Sequence, residues 1–252
     1  MNFRYLALLL CSCALQAKSI STLSSYEDSY ALATYTSDIN TEAYAPLGAE
    51  EEDVDFFEIK FQFSASVPIL PLASNTALMA SYTQKSLWQA LNSDASSPFR
   101  ETNYKPQLFI ANQSNMLVFN HFEVGYKHES NGRAGAISRS WDRGYIALER
   151  FQGPIEYGIH TWVILRTEQD DIDDYYAPYE MWFKMHSGFG EFNTRGFYNF
   201  SSNKGGIEAG YNFPMSKVIG FYVQAYHGYG ETMIDYNLSQ TRIGVGVKLI
   251  NL

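Results

Sequence analysis

The stretch Tyr126-Lys127-His128-Glu129-Ser130-Asn131-Gly132-Arg133, closed by Ser138-Arg139-Ser140-Trp141-Asp142-Arg143, admits two readings, and the choice between them decides the fold. Side chains of a β-strand alternate between its faces, so His128 and Ser130 point the same way. Counting back along that face gives Tyr126 and Val124, while Lys127, Gly125 and Glu123 occupy the other. An apolar face thus ends in a His/Ser pair, with the charge behind it. In a half-buried soluble strand the pair would sit in the core. In a membrane barrel it would face lipid.

The same alternation recurs in both directions along the chain. Ile59, Phe61, Phe63, Ala65 and Val67 share a face opposite Glu58, Lys60, Gln62, Ser64 and Ser66. Ile207, Ala209, Tyr211 and Phe213 oppose Glu208, Gly210 and Asn212; Ile219, Phe221, Val223 and Ala225 oppose Tyr222, Gln224 and Tyr226. Thr241, Ile243, Val245, Val247 and Leu249 oppose Gln240, Arg242, Gly244, Gly246 and Lys248. One such strand would suit a soluble sandwich equally well; the repetition selects the barrel. The pattern predicts about twelve strands of roughly 9–14 residues, joined alternately by short turns and long loops, as in an antiparallel transmembrane β-barrel. The short connections are expected at 112–115, 152–154 and 214–217, the long ones at 92–100, 167–178 and 228–237. Inward Glu, Lys, Arg, Gln and Tyr side chains would fill so narrow a lumen with a hydrogen-bonded network.

Composition agrees with this all-β reading. No later apolar run approaches the roughly 20 residues of a transmembrane helix, which excludes a helical membrane protein but not a barrel. The 19 tyrosines and 17 phenylalanines suit aromatic girdles at both membrane interfaces. A net charge of −9 with scattered bases argues against a nucleic-acid surface. The chain opens on the basic Met1-Asn2-Phe3-Arg4, an apolar segment over 5–10, and Leu15-Gln16-Ala17, which reads as a signal peptide over 1–17 before a single barrel domain over 18–252. Both cysteines, Cys11 and Cys13, fall inside it, and Cys11 is a poor fit to a lipoprotein cleavage site at Cys13. The mature chain would hold neither disulfide nor thiolate metal site.

A hairpin over 129–137 would bring Asp142, which shares its face with Ile146 and Leu148, beside His128 and Ser130. Ser130 is then a candidate nucleophile, His128 its general base and Asp142 the group fixing the imidazole. His-x-Ser alone is a weak signal, and a surface His and Ser near a loop is the bland alternative. Three polar groups on a lipid-facing wall are unfavourable unless they lie near the interface or serve a function. Gln84 interrupts the apolar face of Leu78, Ala80, Tyr82 and Trp88; two such amides could hydrogen-bond across a symmetric interface, or one could sit among headgroups. For the run Asp170-Asp171-Ile172-Asp173-Asp174 a solvated outer loop outweighs a calcium role as the reading. His121, His160, His186 and His227 lack ligand spacing and read as structural.

The run HESNGR…SRSWDR resembles the active-site hairpin of the bacterial outer-membrane phospholipase A family. The resemblance extends over YTQ (82–84), SSPFRETNY (96–104) and GYGETMIDYNLSQTRIGVGV (228–247) and covers most of the chain. It implies a twelve-stranded outer-membrane barrel that hydrolyses phospholipid acyl esters as a calcium-bound homodimer, its site toward the outer leaflet. By position, His128 and Ser130 match the catalytic pair, and Gly132 the N–H of the oxyanion hole. Ser138 resembles a side-chain calcium ligand, Arg133 a backbone-carbonyl ligand and Ser96 a backbone ligand from the partner subunit; Gln84 falls at the dimer interface. The family usually has Asn as third triad member where this chain has Asp142. A negative Asp is expected to orient His128 at least as well, at a greater desolvation cost. Leu252 stands where the family tends to end in an aromatic residue. A passive porin and an adhesive barrel acting through its loops are the rival readings.

Overall fold

The computed structural model describes residues 23–41, 43, 54–114 and 116–250. The signal-peptide expectation over 1–17, both cysteines and Leu252 lie outside them. Twelve strands form one closed antiparallel barrel: β1 Tyr30–Thr36, β2 Phe57–Ala73, β3 Thr76–Trp88, β4 Phe99–Gln113, β5 His121–Ser130, β6 Ser140–Gln152, β7 Ile155–Thr167, β8 Tyr179–Ser187, β9 Gly190–Asn199, β10 Lys204–Pro214, β11 Ile219–Gly228 and β12 Gln240–Leu249. Every strand pairs with its sequence neighbours, and β1 closes on β12 with Tyr30 opposite Lys248. None of the described helices is long and apolar enough to cross a membrane; the crossing is made by strands.

Alternation turns the molecule inside out relative to a soluble protein. Val124, Ile146, Val163, Leu165, Ile243 and Val245 stand on the outer wall, Val163 as much as 64% exposed. Inside, charge is buried and paired. Arg100 bridges Glu58 at 2.6 Å and Asp235 at 2.9 Å, while Arg242 bridges Glu58 at 2.9 Å and Glu231 at 2.8 Å. Lys60, fully buried, reaches Glu231 at 2.9 Å and Gln224 at 2.7 Å. An unpaired ion here would carry a desolvation penalty of several kcal/mol, and each of these charges is held by more than one partner.

Among the described connections, short ones at 74–75, 153–154, 188–189 and 215–218 gather at one end, and long ones at 89–98, 131–139, 168–178 and 229–239 at the other. Only 200–203 is brief at the long-loop end. The turn expected at 112–115 is displaced: β4 runs on to Gln113 and β5 starts at His121. Leu117 and Val118, just past the expected turn, are exposed loop residues whose carbonyls accept bonds from Arg150 and Tyr157. The 229–239 loop folds back over the long-loop end, burying Glu231, Met233, Ile234 and Asp235. Its backbone is pinned where Met233 N donates to Asn103 Oδ1 at 3.1 Å and Ile234 N to Glu101 Oε1 at 3.1 Å. Burial opposes ionisation of Glu231, but Arg242, Lys60 and Lys85 more than offset it and hold that carboxyl well below its usual range. A lumen crossed by ion pairs and covered by this loop leaves little support for the porin reading.

Candidate active site

β5 and β6 pair in a register that sets His128 opposite Asp142 and Ser130 opposite Ser140. The expected outward face follows: Val124, Tyr126, His128 and Ser130 alternate with the buried Glu123 and Glu129. His128 Nδ1 lies 2.6 Å from Asp142 Oδ1, and the Tyr126 hydroxyl donates to the same oxygen at 2.6 Å. An ionised carboxylate only accepts, so Nδ1 carries the proton and Nε2 is left with a free lone pair. The two side chains are 36% and 18% exposed, open to the barrel's surroundings rather than to the lumen. Arg166 of β7 is the cross-strand partner of Asp142 and adds a counter-charge to the carboxylate. Ser130 is half-buried, two residues beyond His128 on the same face.

The loop 131–139 begins where β5 ends. Gly132 adopts a φ of +63°, a left-handed conformation that favours glycine, and a Cβ there would lie 2.8 Å from the Tyr104 ring. Asn131, which sequence reasoning passed over, organises this loop from a buried position. Its Oδ1 accepts from Arg133 N at 3.2 Å and Arg139 N at 3.0 Å, and its Nδ2 donates to Ile137 O at 2.9 Å. The Arg133 side chain ties the loop to β4 through the carbonyls of Phe99 at 2.8 Å and Arg100 at 3.2 Å. The Ser138 hydroxyl donates to Glu168 Oε2 at 2.7 Å, bringing in a carboxylate that the sequence did not single out.

The candidate residues are thus partly assembled. His128, Ser130 and Asp142 share one wall, and Gly132, Arg133 and Ser138 one loop. Ser96 lies apart in the 89–98 loop, exposed and at a φ of 62°. Gln84 is not the lone amide it resembled in sequence: its Oε1 accepts from the Tyr82 hydroxyl at 3.0 Å and its Nε2 donates to Ser86 Oγ at 3.3 Å. It pairs across β4 with Tyr104, which pairs in turn with Ser130, so the three form a row running toward the site. The acidic run 170–174 leads into a short helix, α1 Ile172–Tyr175, whose Ile172 is buried while Asp170, Asp171, Asp173 and Asp174 are exposed. His121 and His160, read from sequence as scattered, stand in the lumen against a shared glutamate, Glu149.

Comparison with known proteins identifies close relatives. A family model described as Phospholipase A1 matches residues 12–249. Phospholipase A1 of Escherichia coli strain K12 is 42% identical over 240 residues, 92% of this chain and 82% of that one. The structure of outer membrane phospholipase A from Escherichia coli aligns with a TM-score of 0.86 at 41% identity, over 92% of this chain and 100% of that chain. The Salmonella typhi outer membrane phospholipase dimer with bound calcium aligns with a TM-score of 0.85 at 41% identity, over 90% and 92%.

Proposed function

The chain belongs to the phospholipase A1 family, and from that premise we propose that it hydrolyses phospholipid acyl esters at the outer leaflet through Ser130, His128 and Asp142. It is an outer-membrane enzyme. The observation that carries the residue assignment is the 2.6 Å His128–Asp142 pair on a wall otherwise made for lipid. Ser130 Oγ attacks the ester carbonyl carbon while His128 Nε2 takes its proton; Asp142 fixes the imidazole and stabilises the imidazolium. The oxyanion so formed faces the N–H of Gly132. Its collapse breaks the ester C–O bond, and His128 returns the proton to the leaving alcohol. Water then repeats the sequence on the acyl-Ser130 ester and frees the fatty acid. Esters at either glycerol position, and lysophospholipids, present the same carbonyl to this open wall.

The donors around Ser138 fit calcium, because hydroxyl, carbonyl and carboxylate oxygens are what that ion takes. Ser138 Oγ and Arg133 O, with Glu168 already 2.7 Å from Ser138, would hold it, and Ser96 O of a second copy would complete the set. Calcium held there supplies positive charge toward the ester oxygen. The row Gln84–Tyr104–Ser130 supports a homodimer whose two-fold contact runs beside the nucleophile. A leader over 1–17 followed by one barrel domain completes the reading.

The test is ester hydrolysis by refolded protein in detergent micelles, with calcium or with chelator, beside Ser130→Ala. Calcium-dependent turnover that disappears in Ser130→Ala is expected. Ion conductance in planar bilayers, with no hydrolysis, would return the weight to a porin.

A further inference from the structure

We propose that the short-turn end of the lumen holds a site for a divalent transition ion of the zinc class, ligated by His121, Glu123 and Glu149. One ligand atom from each lies within 4.8 Å of the others. His121 Nε2 stands 3.1 Å from Glu123 Oε1 and 3.8 Å from Glu149 Oε2. Ligands about 2.1 Å from a tetrahedral ion sit about 3.4 Å apart, so these two spacings bracket what an ion would impose.

The support around the ligands is already built. The other oxygen of Glu123 accepts from the hydroxyls of Tyr26 at 2.9 Å and Tyr145 at 3.0 Å. Glu149 Oε1 lies 2.7 Å from His160 Nε2 and accepts from Trp182 Nε1 at 3.0 Å. Each carboxylate therefore has one oxygen tied back and the other turned toward His121, the orientation that outer partners give metal-ligating groups. Two carboxylate charges match a dication. An imidazole nitrogen beside oxygens favours a transition ion over calcium, which separates this site from the oxygen donors around Ser138.

Access is open. The cluster lines a cavity of about 500 Å³ that also borders Tyr26, Lys127 and Lys184, and the His121 side chain is 17% exposed. A fourth ligand position would face this cavity. His121 and His128 lie on opposite faces of β5, about 23 Å apart along the strand, so the site is independent of the chemistry assigned to the outer wall.

Metal content tests this directly. Refolded protein in micelles is stripped with chelator, equilibrated with zinc and desalted. One zinc per chain is expected, undisplaced by excess calcium, with affinity weakened about 100-fold or more in His121→Ala. His186→Ala is the control, since His186 is merely flanked by Glu156 and Glu191, each at 3.5 Å, and it should bind zinc as wild type does. Cobalt(II) on the wild-type protein gives a readout that needs no variant: intense visible absorption of a low-coordinate N/O site is expected. Substoichiometric zinc, a cobalt spectrum like that of the aqueous ion, or zinc retained by a folded His121→Ala would each overturn the site and leave a hydrogen-bonded brace.

Discussion

Behind β5, Glu129 meets Lys105 at 3.3 Å, Arg143 at 2.5 Å and the Trp141 indole N–H at 3.1 Å, and Glu123 meets His121, Tyr26 and Tyr145. In front, His128 and Tyr126 share one oxygen of Asp142, and little else on that face is polar. The same strand thus carries two kinds of polar group. The inward carboxylates are held redundantly and serve stability, whereas outward groups are sparse and serve chemistry. Removing a group behind the strand strands its buried partners; removing one in front leaves the wall almost as it was.

The largest expected effect is on the outer face. Ser130→Ala should lower hydrolysis by ~10³-fold or more while its thermal midpoint stays at the wild-type value. A fall in that midpoint comparable to an inner-face variant would break the division. Next, Glu129→Ala should destabilise by ~3–5 kcal/mol, because Arg143 and Lys105 lose their counter-charge in the lumen; urea titration in lipid vesicles measures it. A smaller effect should separate two changes at one position. Asp142→Ala should reduce turnover by ~10²-fold or more as His128 loses its orienting partner. Asp142→Asn, which keeps an acceptor, should stay within about tenfold of wild type, and equal losses in both would mean the charge, not the geometry, matters.

The smallest effect is one of pH. Because the folded-state carboxyl of Glu231 is held below its ordinary value, its stabilising contribution is complete above the unfolded value of ~4.3 and is lost as pH falls below it. The thermal midpoint should therefore drop on acidification below ~4.3, and less steeply in Glu231→Gln. An unchanged slope would place the acid sensitivity elsewhere in the lumen.

Much of this was legible in the sequence where one strand's own alternation was enough. The faces of β2, β10, β11 and β12 could be counted, and so could the outward placement of His128, Ser130 and Asp142. What depended on register or on folded loops was not. Leu117 and Val118 are apolar enough to mimic a strand start. Asn131 looks like any loop residue until Arg133 N and Arg139 N reach its oxygen. Glu168 meets Ser138 only because two long loops converge, though an acidic residue opening the 168–178 loop was a usable hint. His121, Glu149 and His160 come from three strands, and no spacing within one strand encodes how neighbouring strands are aligned.

The seam between β1 and β12 carries a consequence in time. Thr36 donates to Gln240 at 2.9 Å across 204 positions of sequence, and Glu58 waits on Arg242. The catalytic candidates His128 and Asp142 are only 14 positions apart. Contacts so close in the chain form far sooner than those that close a loop of that length. The hairpin bearing the chemistry can thus be drawn up while the last strand is still being delivered, and the vessel that supports it is sealed last.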